Sequence, residues 1–122
     1  MKLKKQKNEL KLCYKIWIEN NKNEGILGDG KWLLLKTIEQ EGSITAATEK
    51  LGWSYRKTWN SLKKIEQMLG FSIIKKNRGG AEGGSTELTD EGKKIVSAFE
   101  KFHSEIDGVI KKAFEKLLEN IM

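Results

Sequence analysis

The first regular pattern in the chain is an alternation of apolar and polar residues over positions 10–18. It places five apolar side chains on one face: Leu10, Leu12, Tyr14, Ile16 and Ile18. Alternation with a period of two predicts a β-strand. Turn-forming residues follow at 20–25, after which Ile26 and Leu27 can return as a short partner strand. We therefore expect an N-terminal β-hairpin.

Between Gly28 and Gly70 the apolar residues change to helical spacing in three segments. The first helix follows Gly28 and ends at Gly42, the second covers about 44–50, and the third covers about 55–69. Ser43 and Ser54 are the predicted N-caps of the second and third helices. The expected buried positions are Trp32, Leu34, Leu35 and Ile38, then Ile44, Ala47 and Leu51, then Thr58, Leu62, Ile65 and Leu69.

The remaining sequence predicts a second hairpin and one long helix. Residues 71–77 have the composition of a strand, 78–85 form a glycine-rich loop, and 86–88 can return as the opposing strand. Thr89 is the predicted N-cap of a helix over about 90–119. Its apolar residues recur at alternating spacings of four and three, which is typical of a helix–helix seam. The predicted fold class is α+β, mainly α.

The excess charge is concentrated in one third of the chain. The net charge is +6, and residues 43–80 contain eight basic and two acidic residues, so the other 15 basic and 15 acidic residues balance. A local basic excess of this size favours a polyanionic partner, although a solvated lysine-rich surface has the same composition.

Residues 42–54 have the order helix, tight glycine turn, polar cap, helix start. This order is typical of a helix-turn-helix, whose second helix enters the DNA major groove by its N-terminal end. At that end Arg56 can bind guanine, and Asn60, one turn later, can bind adenine. The basic hairpin that follows would be the wing, lying over the DNA backbone or the minor groove. A three-helix core with a polar surface is the alternative interpretation.

Two stretches resemble a known family. Gly42-Ser43-Ile44, Ala46-Ala47 and Leu51-Gly52-Trp53-Ser54-Tyr55-Arg56-Lys57 with Trp59 are similar to the N-terminal DNA-binding domain of the ModE family of molybdate-responsive regulators. Gly79-Gly80-Ala81-Glu82-Gly83-Gly84 and Leu88-Thr89-Asp90-Glu91-Gly92 resemble that family's wing and the start of its linker helix, and the last motif also resembles LysR-type regulators. Glu82 departs from the basic wings of the family.

The resemblance implies a winged helix-turn-helix over residues 1–89 and a dimerisation helix over 90–122. It implies a homodimer on a palindromic operator, with Ser54, Tyr55, Arg56 and Lys57 reading the DNA. From the residues and the resemblance together, we expect DNA contacts from Ser43, Thr45, Ser54, Tyr55, Arg56, Lys57, Asn60, Lys63, Lys64, Lys75, Lys76, Arg78, Gly79 and Gly80. The expected dimer contacts are Ile95, Phe99, Phe102, Ile106, Ile110 and Leu117.

Other functions are less well supported by the sequence. There is one histidine and one cysteine, with no convergent acid–base cluster, so we expect neither an enzyme, nor a metal site, nor a cofactor. His103 is expected at the surface. No apolar run is long enough for a membrane span and no secretory signal is evident, so we expect a cytoplasmic protein. Family members carry a C-terminal molybdate-binding region, whereas this sequence ends at Met122, so we expect no molybdate binding. The competing interpretation is a winged-helix module that binds a protein rather than DNA.

Overall fold

A computed structural model describes residues 9–77 and 85–122, which form two β-hairpins and four helices. In chain order the elements are β1 (Trp17–Glu19), β2 (Gly25–Gly28), α1 (Asp29–Glu41), α2 (Ile44–Leu51), α3 (Tyr55–Leu69), β3 (Ile74–Asn77), β4 (Ser85–Leu88) and α4 (Asp90–Ile121). Both hairpins are antiparallel and each is a two-stranded sheet of its own. The predicted α+β winged helix-turn-helix, with an N-terminal hairpin and a long last helix, is confirmed.

Polar side chains start three of the helices as their sequences predict. The Ser43 hydroxyl accepts a hydrogen bond from the Ala46 amide at 2.9 Å, and the Ser54 hydroxyl accepts one from the Lys57 amide at 3.1 Å. Thr89 Oγ1 accepts from the Gly92 amide at 3.1 Å. Each bond satisfies an amide that the first helical turn leaves without a partner, which fixes where the helix begins.

The core lies between α1, α2, α3 and the β3–β4 hairpin, which we call the wing. Its fully buried side chains are Leu34, Leu35, Ile38, Ala47, Thr58, Leu62, Ile65 and Ile73. The prediction that Leu69 is buried is wrong, because 40% of its surface is exposed. The whole last turn of α3, residues 67–69, is exposed and extends beyond the elements that cover the rest of the helix.

Two strands are shorter than their sequences predict. β1 spans Trp17–Glu19 instead of the expected 10–18, because β2 offers only Gly25–Gly28 for pairing. A strand needs a partner for its backbone groups, and alternation alone cannot supply one. β3 begins at Ile74 instead of residue 71, and the Glu66 carboxylate accepts hydrogen bonds from the amide of Ile73, just before the strand, and from that of Ile74, its first residue.

The first half of α4 packs against its own domain. Val96 and Phe99 are buried, and the Phe99 ring lies 6.2 Å from the ring of Trp32 on α1. Ile95 is half-buried against the same core. Phe99, which is only 4% exposed, is therefore covered by its own chain and not by a dimer partner, whereas the assignment of the half-buried Ile95 to a dimer seam stays a prediction. A heptad-like stripe shows that a helix face is covered, but not by which neighbour.

The side chain of His103 links α4 to the start of α1. Its ring nitrogens lie 3.2 Å from an Asp29 carboxylate oxygen and 2.8 Å from an Asp107 carboxylate oxygen, and Tyr14 stacks on the ring. The other Asp29 oxygen accepts from the Ile16 amide at 3.2 Å, so the same aspartate also holds the N-terminal segment. The sequence predicts His103 at the surface, but its side chain is only 28% exposed, and Asp29 contacts it from a distant part of the sequence.

Within the part of the chain that the structure describes, no helix is both long and apolar enough to span a membrane.

Candidate nucleic-acid interface

The connection between α2 and α3 is a tight turn built on one glycine. Gly52 has a φ of 74°, a left-handed conformation that residues with a Cβ adopt at a cost. Its amide donates to the carbonyl of Thr48, and the Trp53 amide donates to the same carbonyl at 3.0 Å. α3 begins only two residues later, at Tyr55, so the turn fixes the angle between the two helices.

The N-terminal end of α3 projects its polar side chains into solvent. Ser54, Arg56, Lys57 and Asn60 are all exposed, and Tyr55 is 44% exposed. The opposite side of the helix holds Thr58, Leu62 and Ile65 in the core. The burial of that side orients the helix, so the predicted reading residues share one accessible face.

A groove of about 380 Å³ runs along this face of α3. Four of its lining residues are cationic: Lys31 on α1, and Arg56, Lys57 and Lys64 on α3. The other lining residues are Ser54, Asn60 and Ser61, which supply neutral hydrogen-bonding groups. Among the residues that the structure describes, no carboxylate lines the groove, so it is electrostatically suited to an anion.

The basic residues around the groove fall into two groups. Lys63 lies 3.5 Å from Glu66, Lys64 lies 3.0 Å from Glu24, and Lys75 lies 3.2 Å from Glu87. Across residues 9–77 and 85–122, by contrast, no ion pair with a carboxylate involves Arg56, Lys57 or Lys76. No carboxylate of the described residues therefore offsets the charge of these last three cations.

The wing presents two different faces. Ile74, Thr86 and Leu88 are buried on its inner face, whereas Lys75 and Glu87 face each other across the strands on its outer face. The hydrogen bond from Lys75 is the main reason that the pKa of Glu87 lies below its usual value, and a hydrogen bond from Asn77 adds to it. Lys75 is therefore partly neutralised within the wing.

Trp59 joins the wing to α3. The Nζ atom of Lys76, from β3, lies 4.3 Å from the centre of the Trp59 ring, and Nζ of Lys63 lies 5.1 Å from it. A cation over an indole face is worth about 0.5–1 kcal/mol at an exposed site. Trp59 thus packs partly against the core and also holds a wing lysine beside the exposed face of α3.

The remaining predicted contacts lie elsewhere. Ser43 caps α2 and Thr45 is exposed in its first turn, and neither lines the groove. Arg78, Gly79 and Gly80 lie outside the described residues. The structure therefore gathers Ser54, Arg56, Lys57, Asn60 and Lys64 in one groove, and Tyr55 is exposed on the same end of α3.

The sequence pattern indicated neither of two groove residues: Ser61, which lies on α3 itself, and Lys31, which comes from another helix. Lys31 lies in the first turn of α1, and its Nζ donates to the Gly25 carbonyl of β2. Burial lowers the pKa of Lys31, and the neighbouring charge of Lys64 lowers it further. Residue spacing could not reveal this position, because residues 31 and 64 meet only through the packing of α1 and β2 on α3.

One family model and several known proteins match the sequence of this chain. Residues 31–93 match the family model of the bacterial regulatory helix-turn-helix protein, lysR family. The chain is 31% identical over 93 residues to the molybdenum transport protein ModE of Azotobacter vinelandii, a match that covers 76% of this chain and 34% of the relative. It is 28% identical over 67 residues to the DNA-binding transcriptional dual regulator ModE of Escherichia coli (strain K12), covering 55% of this chain and 26% of the relative.

A third relative extends the same picture. The molybdenum-pterin-binding protein MopB of Rhodobacter capsulatus is 29% identical over 92 residues, which cover 75% of this chain and 34% of that protein. The matched part of this chain thus spans about a third, or less, of the length of these relatives. Its similarity concerns their helix-turn-helix region.

Proposed function

We propose that this chain, which belongs to the bacterial regulatory helix-turn-helix proteins of the lysR family, binds double-stranded DNA sequence-specifically as a cytoplasmic transcriptional regulator. The observation that carries the proposal is the exposed N-terminal face of α3. It combines four cationic side chains with neutral hydrogen-bonding groups in one groove, directly after the Gly52 turn. A helix placed in this way is the element that helix-turn-helix proteins insert into the major groove.

The side chains on this face suit both bases and phosphates. Arg56 can donate two hydrogen bonds to O6 and N7 of guanine, and Asn60 can donate to N7 and accept from N6 of adenine. Lys57 and the first free amides of α3 suit a backbone phosphate. Lys76, held over Trp59 beside the same helix, suits a second phosphate. In this assignment bases provide specificity, and phosphates fix the position of the helix in the groove.

A titration of duplex DNA at several salt concentrations tests the phosphate contacts. The logarithm of the binding constant should fall linearly with the logarithm of salt concentration, with a slope of about 0.9 per neutralised phosphate. The double variant Lys57→Gln/Lys76→Gln should lower this slope by about 1.8. The matched control Lys111→Gln/Lys112→Gln removes the same charge from exposed positions on α4 and should leave the slope nearly unchanged.

The titration also separates this function from its main competitor. A winged-helix module that binds a protein through its basic face would show only weak duplex affinity. In that case both double variants would reduce the slope equally, because every surface lysine would contribute alike.

We also propose that the regulator is a homodimer joined through α4 on a palindromic operator. Apolar side chains on α4 remain exposed beside the face that packs on the domain: Phe102 at 43%, Val109 at 69% and Leu117 at 50%. Ile106 and Ile110, also assigned to the seam from the sequence, are half-buried. The 32 residues of α4 extend about 48 Å at about 1.5 Å per residue, which is long enough to pair along its second half.

Val109→Glu is expected to convert the dimer into a monomer, because a carboxylate at the most exposed seam position would lose its water on pairing. Sedimentation equilibrium measures the result: a wild-type mass of twice 13.9 kDa and a variant mass of 13.9 kDa. Ser97→Glu adds the same charge at an exposed site on the opposite side of α4 and should remain dimeric. A monomeric wild type, or a dimeric Val109→Glu, contradicts the proposed seam.

The function that we propose for this chain is the sequence-specific binding of DNA. The names of two relatives refer to molybdenum, and the proposed function does not include molybdenum binding.

A further inference from the structure

The groove beside α3 contains a pair of lysines that the base-reading assignment does not use. Lys31 comes from α1 and Lys64 from the third turn of α3, and the two lie close enough for the charge of Lys64 to lower the pKa of Lys31. Lys31 is also partly buried, since its ammonium group reaches the Gly25 carbonyl of β2. Two ammonium groups in a partly buried groove repel each other, and an anion between them would relieve the repulsion.

One nearby acid offsets part of this charge. Glu24 lies 3.0 Å from Lys64, and its pKa is lowered first by a hydrogen bond from Asn20 and then by Lys64. Glu24 does not line the groove, and Arg56 and Lys57 add two further cations there. Glu24 therefore holds Lys64 in place while the groove as a whole stays cationic.

We propose that Lys31 and Lys64, with the hydroxyl group of Ser61, form a binding site for a single phosphate group. If the phosphate belongs to a duplex, the site rests on the proposed DNA-binding function and extends it to α1. The same chemistry would accept inorganic phosphate from solution. The site adds a residue from outside the helix-turn-helix to the interface.

The position of the pair along α3 favours a phosphate of the duplex backbone. Arg56, Asn60 and Lys64 recur every four residues on one face of the helix, so Lys64 lies about 12 Å along the axis from Arg56. The major groove is also about 12 Å wide. When Arg56 reaches base edges inside the groove, Lys64 and Lys31 therefore reach the row of phosphates at its border.

Lys31→Met, measured in the full chain by the same salt titration, tests the duplex site. The slope should decrease by about 0.9, which corresponds to one phosphate contact. Lys31→Arg keeps the charge and should restore the slope, whereas a purely structural role of Lys31 would alter thermal stability without changing it. Lys36→Met is the matched control, because Lys36 lies on the same helix but pairs with Glu100 of α4 at 2.9 Å.

A second titration distinguishes free phosphate from the duplex. Inorganic phosphate is added to the DNA-free protein while the amide NMR signals of Lys31, Ser61 and Lys64 are followed. Saturable shifts that Lys31→Met abolishes support a site for the free ion. If Lys31→Met lowers the slope of the salt titration but inorganic phosphate shifts no amide signal, the site binds the duplex backbone alone.

The site is overturned if Lys31→Met changes neither the slope nor the phosphate titration. If the wild type shows no duplex affinity, the proposed function fails, and the phosphate titration alone then decides for or against the site.

Discussion

Arg56→Ala is expected to weaken binding to the preferred operator by about 5–150-fold, which corresponds to about 1–3 kcal/mol. The reason is that Arg56 is exposed in the first turn of α3, lines the groove and has no competing carboxylate among the described residues. A guanidinium group in that position can make two hydrogen bonds to one guanine and to no other base. Affinity for an unrelated duplex should decrease much less. The ratio of the operator affinity to the affinity for the unrelated duplex should therefore fall towards one.

Lys76→Ala is the matched control for this prediction. Lys76 contributes charge beside the same helix, over the Trp59 ring, but it is assigned to a phosphate. Its loss should weaken binding to the operator and to the unrelated duplex by a similar factor. Fluorescence anisotropy with both duplexes at one salt concentration gives the four ratios. An Arg56→Ala protein that keeps the selectivity of the wild type would remove Arg56 from the reading set.

Gly92→Ala is expected to destabilise the fold by about 3 kcal/mol, with a fall in Tm on the order of 10 °C. A Cβ at this position would overlap the carbonyl oxygen of Ile73 and lie 3.3 Å from Cβ of Leu88. That carbonyl already accepts a hydrogen bond from the Thr89 amide at 3.0 Å, so it cannot move without breaking the junction between β4 and α4. The start of α4 would have to shift away from the core instead.

Gly108→Ala in the same helix should have the opposite effect. Beyond the backbone of its own helix, no atom of the described residues lies within 4 Å of a Cβ at Gly108, and alanine stabilises a helix interior by about 1 kcal/mol relative to glycine. Each variant adds one methyl group to the wild type. The stabilities of the two variants in thermal and urea unfolding therefore compare the effect of packing with the effect of helix propensity. A Gly92→Ala protein as stable as Gly108→Ala would show that the approach of α4 to Ile73 is not tight.

Local signals in the sequence were sufficient to predict most of the helical framework. The predicted bounds of α3 match the structure because Ser54 and Gly70 determine its ends by their own chemistry, whatever surrounds the helix. The same holds for Thr89 at the start of α4. The second hairpin was also predictable, although β3 begins three residues later than expected, because the Glu66 carboxylate binds the backbone before it.

The features that the sequence did not reveal depend on contacts between distant residues. The apolar stripe of α4 is visible in the sequence, but only packing shows that Phe99 meets Trp32 of the same chain while Val109 stays exposed. The residues of the candidate site also form two groups, one visible in the sequence and one visible only in the folded chain. Arg56, Lys57 and Asn60 follow from the motif, whereas the approach of Lys31 to the groove and of Lys76 to Trp59 requires the folded chain.

Selection of binding sites from a pool of random duplexes, performed with the wild type and with Arg56→Ala, tests most directly whether α3 reads DNA sequence. The proposal predicts that the wild type enriches a palindrome whose half-sites lie about one helical turn apart, near 34–36 Å. It also predicts that Arg56→Ala loses the preference for one guanine in each half-site. Failure of the wild type to enrich any sequence, or an identical palindrome with both proteins, would contradict the assignment of α3 as the reading helix.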